Sequence, residues 1–488
     1  MTKSLFIPGN MPKDFLRACY YQHQPICVSD DVRQKIELSR SFLQEQIAAG
    51  EIIYGVNTGF GKLANKVIPR KDLLSLQQEL LHSHAAGVGE PLQPEIVRLI
   101  LLLKLSSLAQ GYSGVSWELT EQLLAFYNGQ GYPLIPEQGS VGASGDLAPL
   151  AHLGLALAGE GEVFYQDQLM SASTFLTSIN SEPYCFQEKE ALAIINGTQV
   201  STALALAALF TVENLLDKAI AIGALATVVA GGRLDSFSNL IQMVRGFSGQ
   251  KQVAKLLREH LSSQKYPVSS RVQDPYCLRC QPQVVGSLWE QVQHCAKSLL
   301  QEANGVTDNP LIFVAEQQIL SGGNFHGEPI ALAADLLAIC IAELGNISER
   351  RIAMLLDPEF TGLTPFLAKD PGHDSGLMAA HVTAAALASE NKVLAHPAAV
   401  DTIPTSGNQE DHVSMATFAS RRLHLMLRNL SYILGVELLA VREGVQLNSA
   451  IMLKGELRDL FEQSLVYKKE INLGQQIHCL GNWLARGM

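Results

Sequence analysis

A chain of 488 residues exceeds the usual size of one globular domain, so several domains or one long multi-helix body are expected. Hydrophobic residues at 47% and charged residues at 17% exclude a disordered chain and require a large buried core. The net charge of −11, without any Lys/Arg run, excludes an electrostatic footprint for nucleic acid or anionic lipid, which leaves a soluble protein handling small molecules.

The first residues, Met1 to Pro8, lack the apolar core and cleavage site of a signal peptide. Eight scattered cysteines argue against a disulfide framework and for a reducing cytoplasm. Cys277 and Cys280 form one CxxC, but no second pair at zinc spacing follows, so no metal is expected.

From Met1 to about Gln110 the pattern is mixed. Ile52-Ile53-Tyr54 reads as a short strand ending in the glycine-rich loop Gly55 to Gly61. Leu99 to Leu108 is too short to cross a membrane, and Ala203 to Val229 is interrupted by Glu213, Asp217 and Lys218, so both read as buried helices. Leu147, Leu150, Leu153 and Leu157 mark the apolar side of a helix that Asp146 can cap. Alanine- and leucine-rich segments at 201–228, 330–345 and 377–393 are apolar around much of their circumference, as in helices buried within a bundle or between subunits. Between Glu410 and Val445 there is no proline, and Leu423, Leu427, Leu430, Leu434, Leu438 and Val441 recur at spacings of three and four. A helix of roughly 50 Å follows from the usual rise per residue. The expected fold is mainly α: a smaller N-terminal mixed head over residues 1–110 and a long helical bundle over 111–488.

The most informative segment runs from Gly139 to His152. Ala143-Ser144-Gly145 alone is weak evidence, since the tripeptide arises by chance in roughly one chain in five of this length. Its setting matters more, because surrounding glycines permit backbone angles that press the Gly145 nitrogen onto the Ala143 carbonyl carbon. Gly145 offers an unhindered nucleophile and Ala143 a small flank. Elimination of the Ser144 hydroxyl leaves an exocyclic methylidene, giving a 4-methylidene-imidazol-5-one (MIO), a strong electrophile formed without any external cofactor.

That segment and Tyr54-Gly55-Val56-Asn57-Thr58-Gly59-Phe60-Gly61 together resemble the aromatic amino acid ammonia-lyase family. The likeness continues through Ser83-His84-Ala85-Ala86-Gly87, Ile195-Asn196-Gly197-Thr198-Gln199 and Gln273-Asp274-Pro275-Tyr276-Cys277-Leu278-Arg279-Cys280. It extends to Ser321-Gly322-Gly323-Asn324-Phe325-His326 and Asn408-Gln409-Glu410-Asp411-His412. The resemblance implies a mainly helical subunit, a homotetramer with active sites shared between subunits, and elimination of ammonia from an aromatic amino acid.

Such elimination must improve a poor leaving group, the amine, and remove a weakly acidic β-proton. Covalent capture of the amine serves the first need. For the second, the resemblance makes Tyr54 the base, with Tyr276 a second phenol near the electrophile. It makes Arg279 the carboxylate fork, Asn196 a donor, Phe325 a wall and Gln273 a hydrogen-bonding group. His84 and Glu410 can hydrogen-bond an imidazole, whereas relatives acting on phenylalanine carry an apolar residue and Gln there. L-histidine is therefore the expected substrate and trans-urocanate the product, in the first step of histidine degradation. Met378 agrees, since a lysine there would imply a thiol-imidazole betaine. His82, Ser116, Gln138, His381 and Gly407 depart from the family pattern. The competing readings are a tyrosine or phenylalanine lyase, an aminomutase, and a silent helical scaffold.

Overall fold

Helices dominate the computed structural model, which describes residues 4–59, 61, 65–468 and 472–486; its strands are two to four residues long. Phe60 and Met1 to Lys3 lie outside the described residues. The chain forms two compact units, one of Met1–Ala207, Lys297–Asp335 and Pro397–Arg421, the other of Ala208–Ala296, Leu336–His396 and Arg422–Met488. The head boundary expected at residue 110 falls inside the first unit, because the Pro94–Leu108 helix packs on helices from both sides of it, Lys13–Tyr21 and Trp117–Asn128.

Within the first unit, the Pro94–Leu108 helix begins with proline in its first turn, where the missing N–H costs nothing. Every residue from Ile96 to Leu108 is buried, including Arg98 and Lys104. Their polar ends must therefore find partners inside the protein. Arg98 donates to the Cys19 carbonyl at 2.6 Å, and Lys104 to those of Ala193 and Asn196 at 3.1 and 2.7 Å.

Three further helices of this unit, Leu73–His84, Leu147–Leu157 and Glu190–Ile195, pack against one another. Leu150, Leu153 and Leu157 are fully buried, on the face that their spacing predicts. This mutual packing brings together His84 at one helix end, the Ser144 loop before a second and Asn196 after a third.

Local structure departs from expectation at three places. Ile52 to Tyr54 form no strand: the Asn57 side chain takes the Ile53 N–H at 2.8 Å, and the Ile53 carbonyl accepts from Val56, so a turn replaces the ladder. Asp146 precedes the Leu147–Leu157 helix without capping it through its side chain. Its carboxylate instead accepts from Ser201 N and Oγ, both at 2.7 Å, and from Thr417 Oγ1 at 2.8 Å, joining the first turns of two other helices. The long C-terminal helix starts at Ala416, not Glu410, and runs 32 residues to Leu447. Met415 at φ +58° and the side-chain bonds of Glu410 keep the preceding residues in a loop.

The described strands all lie in the first unit. In the second, the Arg351 guanidinium and the Glu437 carboxylate form a fully buried two-point ion pair at 2.5 and 2.9 Å, with Ser348 donating to Glu437 at 2.5 Å. The other apolar segments form the helices Gln199–Val229, Glu328–Leu355 and Met378–Leu394. Glu328–Leu355 and Ala416–Leu447 are long and apolar enough to cross a membrane, but 72% and 78% of their most apolar stretches are buried inside the protein, as in core helices.

Candidate active site

A cavity of about 1000 Å³ opens in the first unit where the three packed helices meet the loops around Phe325 and Glu410. Tyr54, His84, Ala143, Ser144, Asn196, Phe325 and Glu410 all line it. Seven candidates separated by as many as 356 positions in sequence therefore share one surface.

The tripeptide loop is held by backbone as much as by side chains. Gly145 has φ +75°, and a Cβ there would lie 2.2 Å from the Gly197 carbonyl oxygen, so no side chain fits. The Asp146 N–H donates to that carbonyl at 2.7 Å. Asn196 Nδ2 donates to the Ser144 carbonyl at 2.9 Å, while its buried Oδ1 has no hydrogen-bond partner among the described residues. Ser140 Oγ reaches Asp146 at 3.1 Å and Ser414 Oγ reaches the Gly142 carbonyl at 2.9 Å. A cradle that admits only glycine at 145, beside an unsatisfied amide oxygen, fits a ring closed from Ala143, Ser144 and Gly145.

Glu410 faces this loop. Its carboxylate accepts a short hydrogen bond from Ser144 Oγ, and bonds from Thr405 Oγ1 at 2.8 Å and Ser406 Oγ at 2.7 Å. Burial alone would raise its pKa, but those three hydroxyls outweigh it and hold the carboxyl below its ordinary value. The Ser144 bond depends on a hydroxyl that dehydration removes, which would free one carboxylate oxygen toward the cavity.

His84 Nδ1 lies 2.9 Å from the Leu80 carbonyl, an acceptor only, so Nδ1 carries the hydrogen and a neutral ring leaves Nε2 as an acceptor. The Tyr54 hydroxyl accepts the Gly61 N–H at 3.2 Å. Sequence reasoning passed over Thr405, Ser406 and Lys104. The available signal for Lys104 was a lone cation inside the apolar run Leu99 to Leu108.

Of the other four candidates, Gly145 adjoins Ser144 without lining the cavity, and three lie outside it. Gln273, Tyr276 and Arg279 belong to the second unit, where Tyr276 is 70% exposed and Gln273 is also exposed. The Arg279 guanidinium lies 4.5 Å from the Tyr276 ring centre and donates to the Asp274 carbonyl at 3.1 Å. Met378, also of the second unit, does not line the cavity.

Of the unusual positions, His82 turns to Glu160 at 2.8 Å, His381 to Glu349 at 2.8 Å, and Ser116 caps the Trp117–Asn128 helix. Gln138 pairs in a short strand with Val88. None of these four lines the cavity, and Gly407 supplies φ +61° in the turn before Glu410. All eight cysteines are free, and among the described residues no group of three or more His, Cys, Asp or Glu is arranged to hold a metal.

The model of the aromatic amino acid lyase family matches residues 12–463. The chain is 46% identical to the histidine ammonia-lyase of Idiomarina loihiensis, over 98% of this chain and 96% of that protein. Among solved structures it resembles histidine ammonia-lyase from Trypanosoma cruzi, with a TM-score of 0.91 and 36% identity over 98% of this chain and 93% of that one. Phenylalanine aminomutase from Pantoea agglomerans superimposes with a TM-score of 0.95 at 28% identity, covering 99% of both chains. With residues 12–463 matched by the family model and 98% of its length covered by a relative at 46% identity, the chain belongs to the aromatic amino acid lyase family.

Proposed function

We propose that this chain eliminates ammonia from L-histidine to give trans-urocanate, using an MIO group that Ala143-Ser144-Gly145 form from themselves. The observation that carries the reading is the convergence of His84, Ser144, Asn196 and Glu410 on one cavity. The names of the relatives support the same substrate.

Held by Asn196 and the Gly197 backbone, such a group would supply an electrophilic carbon for the substrate amine, which would make the amine a better leaving group. Asn196 holds the Ser144 carbonyl and so orients the loop. Tyr54 Oη, as the phenolate, receives the β-proton and returns to the phenol. His84 Nε2 and the Glu410 carboxylate both accept hydrogen bonds, a pairing that suits the two N–H groups of an imidazolium and leaves both acceptors unpaired against phenyl. Phe325 walls the site and excludes water.

Gln273, Tyr276 and Arg279 complete the site from neighbouring subunits of a homotetramer. The exposure of Val272, Gln273 and Tyr276 in a single chain supports that arrangement. Arg279 receives the substrate carboxylate as a planar fork. The cytoplasm, the first step of histidine degradation and independence from nucleic acid, membrane and metal complete the proposal.

Purified protein incubated with L-histidine should release urocanate, followed by its ultraviolet absorbance. Coumarate from tyrosine or cinnamate from phenylalanine as the main product, or a β-amino acid, would overturn the substrate assignment. No turnover of any of these by chain two waters lighter than its translated mass would overturn the lyase reading.

A further inference from the structure

Lys104 is 1% exposed, at the middle of a helix buried on all sides. Burial pushes its pKa down to about 7 against the opposing pull of Asp308. Its side-chain nitrogen donates to the carbonyls of Ala193 and Asn196 at 3.1 and 2.7 Å, at the end of the Glu190–Ile195 helix, where carbonyls lack partners within the helix. A neutral amine retains two N–H donors, so these contacts persist in either protonation state.

The carbonyl that Lys104 holds more closely belongs to the Asn196–Gly197 peptide. On its other side that peptide is the template for the tripeptide loop. Asn196 Nδ2 grips the Ser144 carbonyl at 2.9 Å, the Gly197 carbonyl takes the Asp146 N–H at 2.7 Å, and Gly197 backbone atoms would lie within 2.5 Å of any Cβ on Gly145. The apolar helix thus carries an amine donor directly behind the segment against which Ser144 and Gly145 are pressed.

We propose that Lys104 is a positioning residue for maturation of the tripeptide, clamping the Asn196–Gly197 peptide so that the Gly145 nitrogen is held against the Ala143 carbonyl carbon. The proposal rests on the MIO reading above. In that maturation a bond forms between Gly145 N and Ala143 C. The Ala143 carbonyl oxygen leaves as water with the hydrogens of Gly145 N and Ser144 N, leaving a double bond between Ala143 C and Ser144 N. A second water takes the Ser144 hydroxyl and its Cα hydrogen. Neither dehydration changes the oxidation balance, and Lys104 makes no covalent bond in either.

The test follows intact mass against time after synthesis of the full chain, beside circular dichroism as the check of folding. Lys104→Met keeps side-chain length and removes both donations. Arg98→Met is the control, a buried cation removed from the same helix that holds the Cys19 carbonyl instead. Folded Lys104→Met should lose water roughly ten- to a hundredfold more slowly than the control, the effect expected when buried carbonyls lose their donor.

Lys104→Gln, which keeps an N–H donor on a shorter side chain, should fall between them and carries the comparison if Lys104→Met does not fold. Maturation of either folded variant as fast as Arg98→Met overturns the positioning role. A wild-type chain that retains both waters overturns the MIO reading and this proposal with it, whereas a fully matured wild type beside an unimpaired Lys104→Met overturns this proposal alone.

Discussion

Glu410 links the ring-facing side of the cavity to the tripeptide. Hydroxyls of Thr405 and Ser406, joined before dehydration by that of Ser144, hold its carboxyl below the ordinary glutamate value against burial. A carboxyl with a lowered folded-state pKa contributes stability above its unfolded value and loses it as pH falls through the folded value. The stability difference between wild type and Glu410→Gln should therefore be full near neutrality and shrink on acidification below the ordinary glutamate range, measured by urea unfolding across pH. A constant difference would contradict the hydrogen-bond account. The same variant should lower kcat/KM for histidine by roughly ten- to a hundredfold, the value of one charge-assisted hydrogen bond. Ser144→Ala should lower turnover by orders of magnitude while the mass stays unchanged from translation. At this scale the sequence was legible where chemistry demands a residue type, as at Ser144 and Gly145, while Asn196 was named only through the family resemblance. It was silent on Thr405 and Ser406, because a hydroxyl in a loop declares no partner until the loop is folded.

Among the elements, the close approach of the Gly145 and Gly197 backbones is the most exacting. Gly145→Ala would place a methyl 2.2 Å from the Gly197 carbonyl oxygen at a φ that L side chains rarely adopt. That variant should fold its helices but retain both waters, checked by circular dichroism with intact mass; loss of two waters at the normal rate would refute the tight cradle. Helix interiors were readable from apolar spacing, as Leu150, Leu153 and Leu157 illustrate. Helix starts were not. The first turn of the long C-terminal helix is set by Met415 in the left-handed region and by Glu410 bonding elsewhere, neither of which periodicity reports. Asp146 looked like a cap for its own helix, yet its carboxylate serves the first turns of two others. Capping residues bond whichever donors tertiary packing presents.

At the level of the whole molecule, two predictions separate stability from assembly. Glu437→Leu leaves the fully buried Arg351 without its carboxylate and should cost about 3–5 kcal/mol, read as a lower urea midpoint. Replacing both partners, with Arg351→Met added, should recover most of that loss. If sites are shared between subunits, Ser144→Ala and Arg279→Lys homomers should each be impaired, while tetramers co-refolded from the two should regain activity. A mixture no better than its parents would restrict each site to one chain.

By itself the sequence determined a helical, apolar-cored protein and pointed to Ala143-Ser144-Gly145 as the candidate electrophile, because helix periodicity and the composition of that loop are local properties of the chain. Tertiary structure alone decided which groups meet: it placed His84 and Glu410 beside Ser144, turned His82 away to Glu160, and set Lys104 behind Asn196. The physical reason is that a buried polar atom takes the nearest available donor or acceptor, and nearness across 50 to 300 residues is created only by packing.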